Sequence, residues 1–113
     1  MLIETLSVFP QCYDSIMNES IMKRAQDKGI LEFRAHDLRD WTHDKHRTTD
    51  DEPYGGGQGL VMKCGPIFEA CDELFAAAPT KPYTIFLSPT GETLSDALTL
   101  ELAEKDHLFF VCG

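Results

Sequence analysis

The pattern of apolar and polar positions changes several times along the chain, and each change predicts an element. Leu2-Ile3-Glu4-Thr5-Leu6-Ser7-Val8-Phe9 is a β-prone run closed by Pro10, which predicts a strand leading into a turn. A helix is expected next, capped by Asn18 or Ser20, with Ile21, Met22 and Ala25 on one face and Gly29 as its stop. Residues 30–36 alternate and predict a second strand, and the short apolar run Leu60-Val61-Met62 a third. Pro66 stands where the first turn of a helix tolerates it, and Ile67, Cys71, Leu74 and Phe75 recur at the spacing of a core-facing stripe. Tyr83-Thr84-Ile85-Phe86-Leu87 is nearly continuous in apolar character, which predicts a strand buried on both faces. Ser95 is placed to cap a helix carrying Leu94, Leu98 and Leu102, and residues 107–112 read as another buried strand.

Strands alternating with helices imply right-handed crossovers and an α/β fold: a mostly parallel sheet with helices on both faces. Ligands of such sheets bind beyond the carboxyl ends of the strands, which singles out Ser88-Pro89-Thr90-Gly91 and Gly113. The chain stops flush with a buried strand, so an apolar patch left uncovered near Cys112 is expected.

The run from Asp44 to Gly59 fits neither period. It joins both charge signs and an imidazole to four glycines, at 55, 56, 57 and 59. A segment with nothing to bury is a solvated loop, and glycines this dense favour positive φ or close backbone approach, so it reads as a binding loop or an acidic connector. Total charge is −9 over 113 residues, with 8 Lys/Arg against 11 Asp/Glu in residues 1–63 and 2 against 8 in residues 64–113. Overall charge therefore gives nucleic-acid binding no support, although Arg34, Arg39, Lys45 and Arg47 lie close enough in sequence to form a local positive patch. Cys12, Cys64, Cys71 and Cys112 show no C-x-x-C spacing and read as reduced cytosolic thiols, with neither a disulfide nor a zinc site. The apolar runs are too short for a membrane span, so a soluble, cytoplasmic protein is expected.

Several chemistries can be weighed on these residues. His36, His43, His46, Asp44, Asp50 and Asp51 offer metal-ligand types, but without a helical pair or an H-E-x-x-H pattern they read as solvated loop charges. The glycine cluster is not followed by Lys-Ser/Thr or a helix start, which excludes a P-loop, and the first strand leads into no dinucleotide fingerprint. Ser88 and Cys112 lie near strand ends without a nucleophile elbow, and Cys112 reads as a packed small hydrophobe. His107 reads as a surface or edge histidine, and Trp41 as packing or as a base-stacking platform.

The order of segments resembles a known family. Leu6-Ser7-Val8-Phe9-Pro10, His36-Asp37-Leu38-Arg39-Asp40, Asp44-Lys45-His46-Arg47, Asp50-Asp51, Pro53-Tyr54-Gly55-Gly56-Gly57 with Gly59, and Leu87-Ser88-Pro89-Thr90-Gly91 together resemble bacterial tRNA (guanine-N1)-methyltransferases of the SPOUT class. The resemblance implies a homodimeric enzyme that moves a methyl group from S-adenosylmethionine to N1 of guanine at tRNA position 37. Its cofactor pocket lies in a trefoil knot. Carried over by motif, Phe86, Leu87, Ser88, Pro89 and Gly113 fall on the cofactor pocket. Asp50, Pro53, Tyr54, Gly55, Gly56, Gly57 and Gly59 fall on the loop meeting cofactor and guanine, and Arg39, His46 and Arg47 on the tRNA-facing surface. The resemblance places the catalytic base and its arginine beyond residue 113, so no catalytic residue is assigned here. Residues 1–113 would be the N-terminal part of the methyltransferase domain with its knot incomplete and the C-terminal tRNA-binding domain absent, inactive alone. Two other readings are a non-enzymatic module that binds RNA or itself, and a metal-dependent hydrolase using the His/Asp loop. No metal, membrane or protein partner beyond the second copy is inferred.

Overall fold

The computed structural model describes residues 1–51 and 61–112. Four strands form the main sheet: Leu2–Ser7 (β1), Glu32–Asp37 (β2), Tyr83–Phe86 (β5) and His107–Val111 (β6), in the order β2-β1-β6-β5 with every pairing parallel. Two two-residue strands, Asp50–Asp51 (β3) and Val61–Met62 (β4), pair antiparallel as a separate ribbon. The third predicted strand thus stands outside the main sheet, and Leu60 lies outside the described residues. Four α-helices are described: Asp14–Met17 (α1), Ser20–Asp27 (α2), Cys64–Ala77 (α3) and Asp96–Ala103 (α4).

Strand order decides where the helices go. From β1 to β2 and from β5 to β6 the chain steps one way across the sheet, and from β2 to β5 it steps back. Right-handed crossovers then put α1, α2 and α4 on one face and α3 on the other. Contacts agree. Leu6, Phe109 and Val111 point to the α3 face, where they form a buried core with Leu38 and Ala70. Ile67, Cys71, Leu74 and Phe75, the predicted stripe, pack against that core, and the Phe75 ring meets Phe109 edge-on at 5.0 Å. On the opposite face Tyr13 meets Phe33 edge-on, and Leu98 and Leu102 of α4 lie near Phe110. Ser95 caps α4 by accepting from the Leu98 amide, and Gly29 takes the positive φ of +73° that ends α2.

Some local expectations fail for identifiable reasons. Strand β1 ends at Ser7, because Phe9 and Pro10 turn into a 3-10 helix, Pro10–Tyr13, that leads into α1. Asn18 closes α1 instead of capping α2, which starts at Ser20 without a side-chain cap. Strand β5 is not buried on both faces: among the described residues it is the sheet edge, paired with β6 alone, and Tyr83, Thr84 and Phe86 are exposed.

One polar group sits inside this frame. Glu4, central in β1, is 4% exposed. Its carboxylate oxygens lie 3.0 Å from His107 Nε2 on β6, 3.4 Å from His36 Nε2 and 3.6 Å from Arg34 Nη1 on β2. A carboxylate only accepts, so each imidazole Nε2–H donates to it. His107 is therefore buried in the sheet and is not a surface histidine, contrary to its sequence reading. Loss of a buried ionic partner leaves the others unpaired. Glu4→Ala is expected to lower the unfolding free energy by about 3 kcal/mol, whereas Arg34→Ala, removing a solvent-screened partner, is expected to cost far less. Urea denaturation of the two variants checks both expectations.

Candidate functional site

Because the main strands run the same way, β1, β2, β5 and β6 all end at one edge, and the connections leaving it carry many of the residues singled out from sequence. At the β5 end the ladder continues one residue, the Leu87 amide donating to the Val111 carbonyl at 3.1 Å. The chain then turns: Gly91 N donates to Ser88 O at 3.3 Å, Thr90 N donates to Ser88 Oγ at 3.2 Å, and the two hydroxyls are 3.0 Å apart. A Cβ on Gly91 would lie 3.4 Å from the Ser88 carbonyl, an ordinary van der Waals contact. Beside the turn is a groove of about 340 Å³, lined by Phe86, Leu87, Leu94, Leu98, Leu102 and Phe110. Phe86 and Leu87 are 61% and 52% exposed, whereas the strand ending at Cys112, where the sequence predicts an uncovered apolar patch, has Leu108, Phe109 and Val111 buried.

The neighbouring ends of β1 and β2 are tied to each other. Asp37 Oδ1 accepts from the Arg39 amide at 2.9 Å and caps a 3-10 helix, Leu38–Trp41, whose Leu38 is fully buried. The Arg39 guanidinium donates to the Val8 carbonyl at the end of β1 and lies 5.7 Å from the Phe9 ring. Trp41 packs against the core and donates its indole N–H to Glu73 of α3, and His43 Nε2 lies 2.8 Å from Glu69 of the same helix. At the third strand end, Tyr13 donates to Cys112 Sγ at 3.2 Å. Burial, then this bond, push the Tyr13 phenol above its ordinary pKa.

Next comes the turn that delivers the chain to the ribbon. Arg47 takes a positive φ of +52°, and its guanidinium donates to Asp40 Oδ1 at 2.8 Å and to the Arg39 carbonyl at 3.3 Å. Asp44 accepts from Thr48 Oγ1 at 2.6 Å and from the Thr48 amide at 2.9 Å, which holds its carboxyl below the ordinary value. Thr49 is buried, and its carbonyl accepts from Lys63 N at 2.7 Å.

The sequence-predicted residues are therefore only partly assembled. Phe86, Leu87, Ser88 and Pro89 form the β5 corner, and Arg39, His46, Arg47 and Asp50 lie along the segment leaving β2. Pro53, Tyr54, Gly55, Gly56, Gly57, Gly59 and Gly113 lie outside the described residues. The positive patch expected from Arg34, Arg39, Lys45 and Arg47 is largely neutralised, because Arg34 binds Glu32 and Glu4, Arg39 lies beside Asp37, and Arg47 binds Asp40. Sequence reading missed Asp37 and Asp44 as turn-formers. Their signal was local, an acid two or four residues before the amide that it accepts from. Among the described residues, no group of three or more His, Cys, Asp or Glu is arranged to hold a metal ion. Two of the histidines offered as ligands for a hydrolase are instead paired with Glu4 and Glu69.

Comparison with known proteins fits this arrangement. The family model described as tRNA (Guanine-1)-methyltransferase TrmD matches residues 1–113. The chain is 42% identical over 113 residues to the tRNA (guanine-N(1)-)-methyltransferase of Anoxybacillus flavithermus and 46% identical to that of Clavibacter sepedonicus, covering 46% and 49% of those proteins. The crystal structure of tRNA (m1G37) methyltransferase from Aquifex aeolicus is similar with a TM-score of 0.87 at 32% identity, over 98% of this chain and 50% of that one. The chain thus spans about half the length of the relatives that it matches. Matched along its whole sequence, and sharing its parallel sheet with a solved relative, the chain belongs to the tRNA (Guanine-1)-methyltransferase TrmD family.

Proposed function

We propose that this chain supplies the N-terminal half of a cytoplasmic tRNA (guanine-N1)-methyltransferase that acts at N1 of guanine 37 with S-adenosylmethionine as donor. The observation that carries this reading is the match over residues 1–113 to a methyltransferase family model. In the same reading the enzyme is a SPOUT-class homodimer whose knot, catalytic base and tRNA-binding domain come from the length that this chain does not span. Among the described residues, no helix is long and apolar enough to cross a membrane.

The β5 corner fits one wall of a site for the donor. An apolar groove of about 340 Å³ is of the size that holds small ligands, and its rim carries the Ser88 hydroxyl. Phe86, Leu87, Ser88, Pro89 and Gly113 would hold S-adenosylmethionine there. Bound, it supplies a methyl group on a sulfonium, already electrophilic, so the protein's task is placement and removal of the guanine N1 proton. Residues 39–50 have the second task of presenting the tRNA. With the arginines engaged by acids and carbonyls, Lys45 and the exposed His46 are the side chains of this segment offered to phosphate, while Arg39 and Arg47 hold its shape. Asp50 and the glycine-rich loop that follows it would meet the guanine.

A second reading, a module that associates with RNA or with its own copies without catalysis, draws on the exposed β5 edge and on the exposed Leu94 beside it.

The test uses the protein translated from the whole reading frame that contains this chain, with methyl-labelled donor. It is expected to methylate a tRNA bearing guanine 37, giving 1-methylguanosine by nucleoside mass spectrometry, and to leave the adenosine 37 variant untouched. Equal labelling of both tRNAs, or binding without transfer, overturns the proposal. Lys45→Ala in the same protein is expected to weaken tRNA binding and to reduce the salt slope of log K by about 1, measured by titration between low and moderate salt.

A further inference from the structure

Residues 42–48, Thr-His-Asp-Lys-His-Arg-Thr, contain no apolar side chain, so this part of the segment proposed to present tRNA has no hydrophobic anchor of its own. It is held where it leaves the 3-10 helix Leu38–Trp41. There Leu38 is fully buried, Trp41 packs against the core, and the His36 ring meets the Trp41 ring edge-on at 6.3 Å. Packing alone leaves an indole free to choose among rotamers that cover the same apolar surface. The hydrogen bond that its N–H donates to Glu73 of α3 selects one of them. Thr42 follows directly, its amide and hydroxyl donating to the Arg39 carbonyl at 3.2 and 2.6 Å, so the direction set at Trp41 carries on into the segment.

By charge, Glu73 is out of place. Two carboxylates of α3, Glu69 and Glu73, meet a segment whose proposed partner is a polyanion, and charge alone would make both weaken such binding. They differ in what they hold. The side chains of His43 and Glu69 are 75% and 49% exposed, and an ion pair so open to water contributes little. Trp41 is half-buried against the core, so its bond to Glu73 is the tighter constraint.

We infer that Glu73 is a positioning residue: through the Trp41 indole it fixes how residues 42–48 leave the core, and so how Lys45 is presented to a tRNA phosphate. The inference rests on the proposed function for the tRNA, but not for the hold on Trp41. Positioning and charge give opposite signs. Loss of an acid beside a phosphate-binding segment tightens binding if charge governs, and weakens it if Glu73 holds the segment in place.

The experiment compares Glu73→Ala, Glu73→Gln and Glu69→Ala in the protein translated from the whole reading frame. Each removes one negative charge, but only Glu73→Ala removes the acceptor oxygen that Trp41 uses. Hydrogen exchange of the Trp41 indole N–H, followed by NMR, reports the hold, and tRNA affinity together with kcat at saturating tRNA reports its use. Glu73→Ala is expected to speed indole exchange and to weaken tRNA binding about fivefold each, the contribution of one ordinary hydrogen bond, with kcat unchanged. Glu73→Gln is expected to recover most of both losses, and Glu69→Ala to leave indole exchange unchanged and to bind tRNA at least as tightly as the wild type. Unchanged indole exchange in Glu73→Ala overturns the inference, as does tRNA binding that stays the same or tightens. Equal weakening in Glu69→Ala, or no recovery in Glu73→Gln, overturns it too. So does a fall in kcat as large as the loss of affinity, since that marks a merely structural residue. If the wild-type protein binds no tRNA, the functional reading fails, and indole exchange alone decides whether Glu73 holds Trp41.

Discussion

Burying an ionised carboxylate is among the costlier things that a small sheet can do, and Glu4 is tolerable only because three side chains from both neighbouring strands converge on it. The arrangement acts on register. Glu4 stands opposite Arg34 on one side and Phe109 on the other, with His36 and His107 as the diagonal neighbours on the same face. A one-residue slip of β2 would carry Arg34 and His36 to the opposite face, where Ile3 and Thr5 point, and strand the carboxylate without donors. A hydrophobic residue at position 4 would accept several registers. The carboxylate accepts one, and that choice decides which residues arrive together at the far edge of the sheet: Ser7, Asp37, Phe86 and Val111, where the connections of the candidate site begin.

The elements that sequence reading located correctly are those in which a single local rule governs. The α3 stripe, the Ser95 cap, the Gly29 stop and the apolar run of β6 each follow from spacing or from one residue's chemistry. The failures come where tertiary position overrides composition. Residues 83–86 look like an interior strand because Tyr, Ile and Phe suit both a central strand and an apolar groove wall, and only the strand order shows that β5 is an edge. His107 looks peripheral because its partner Glu4 is 103 positions away, beyond any local pattern. The motif residues behaved in the same way. Family resemblance located the β5 corner and the segment after β2, but gave no sign that Arg39 and Arg47 spend their donors on the Val8 carbonyl and on Asp40.

That internal use of arginine changes how the surface is to be understood. On a chain of net charge −9, a cluster of four basic residues suggests an electrostatic landing site. In the folded chain most of that charge is spent as geometry. Arg39 ties the exit of β1 to the exit of β2, and Arg47 bridges the 3-10 helix to the turn before the ribbon. An arginine fork suits this better than lysine, since several donors in a fixed plane can reach a carbonyl and a carboxylate at once.

The central place of β1 also has a consequence in time. Its partner on one side, β2, follows within a few dozen residues, but its partner on the other side, β6, comes near the end of the described chain. During synthesis at about 5–20 residues per second, β1 and β2 would wait on the order of ten seconds with one side of β1 open before β6 emerged. For that interval Leu6 lacks the wall formed by Phe109 and Val111, and Glu4 lacks His107. The nascent chain is therefore exposed to wrong pairing along the very strand that later becomes central, and β6 is the strand that closes that side of β1.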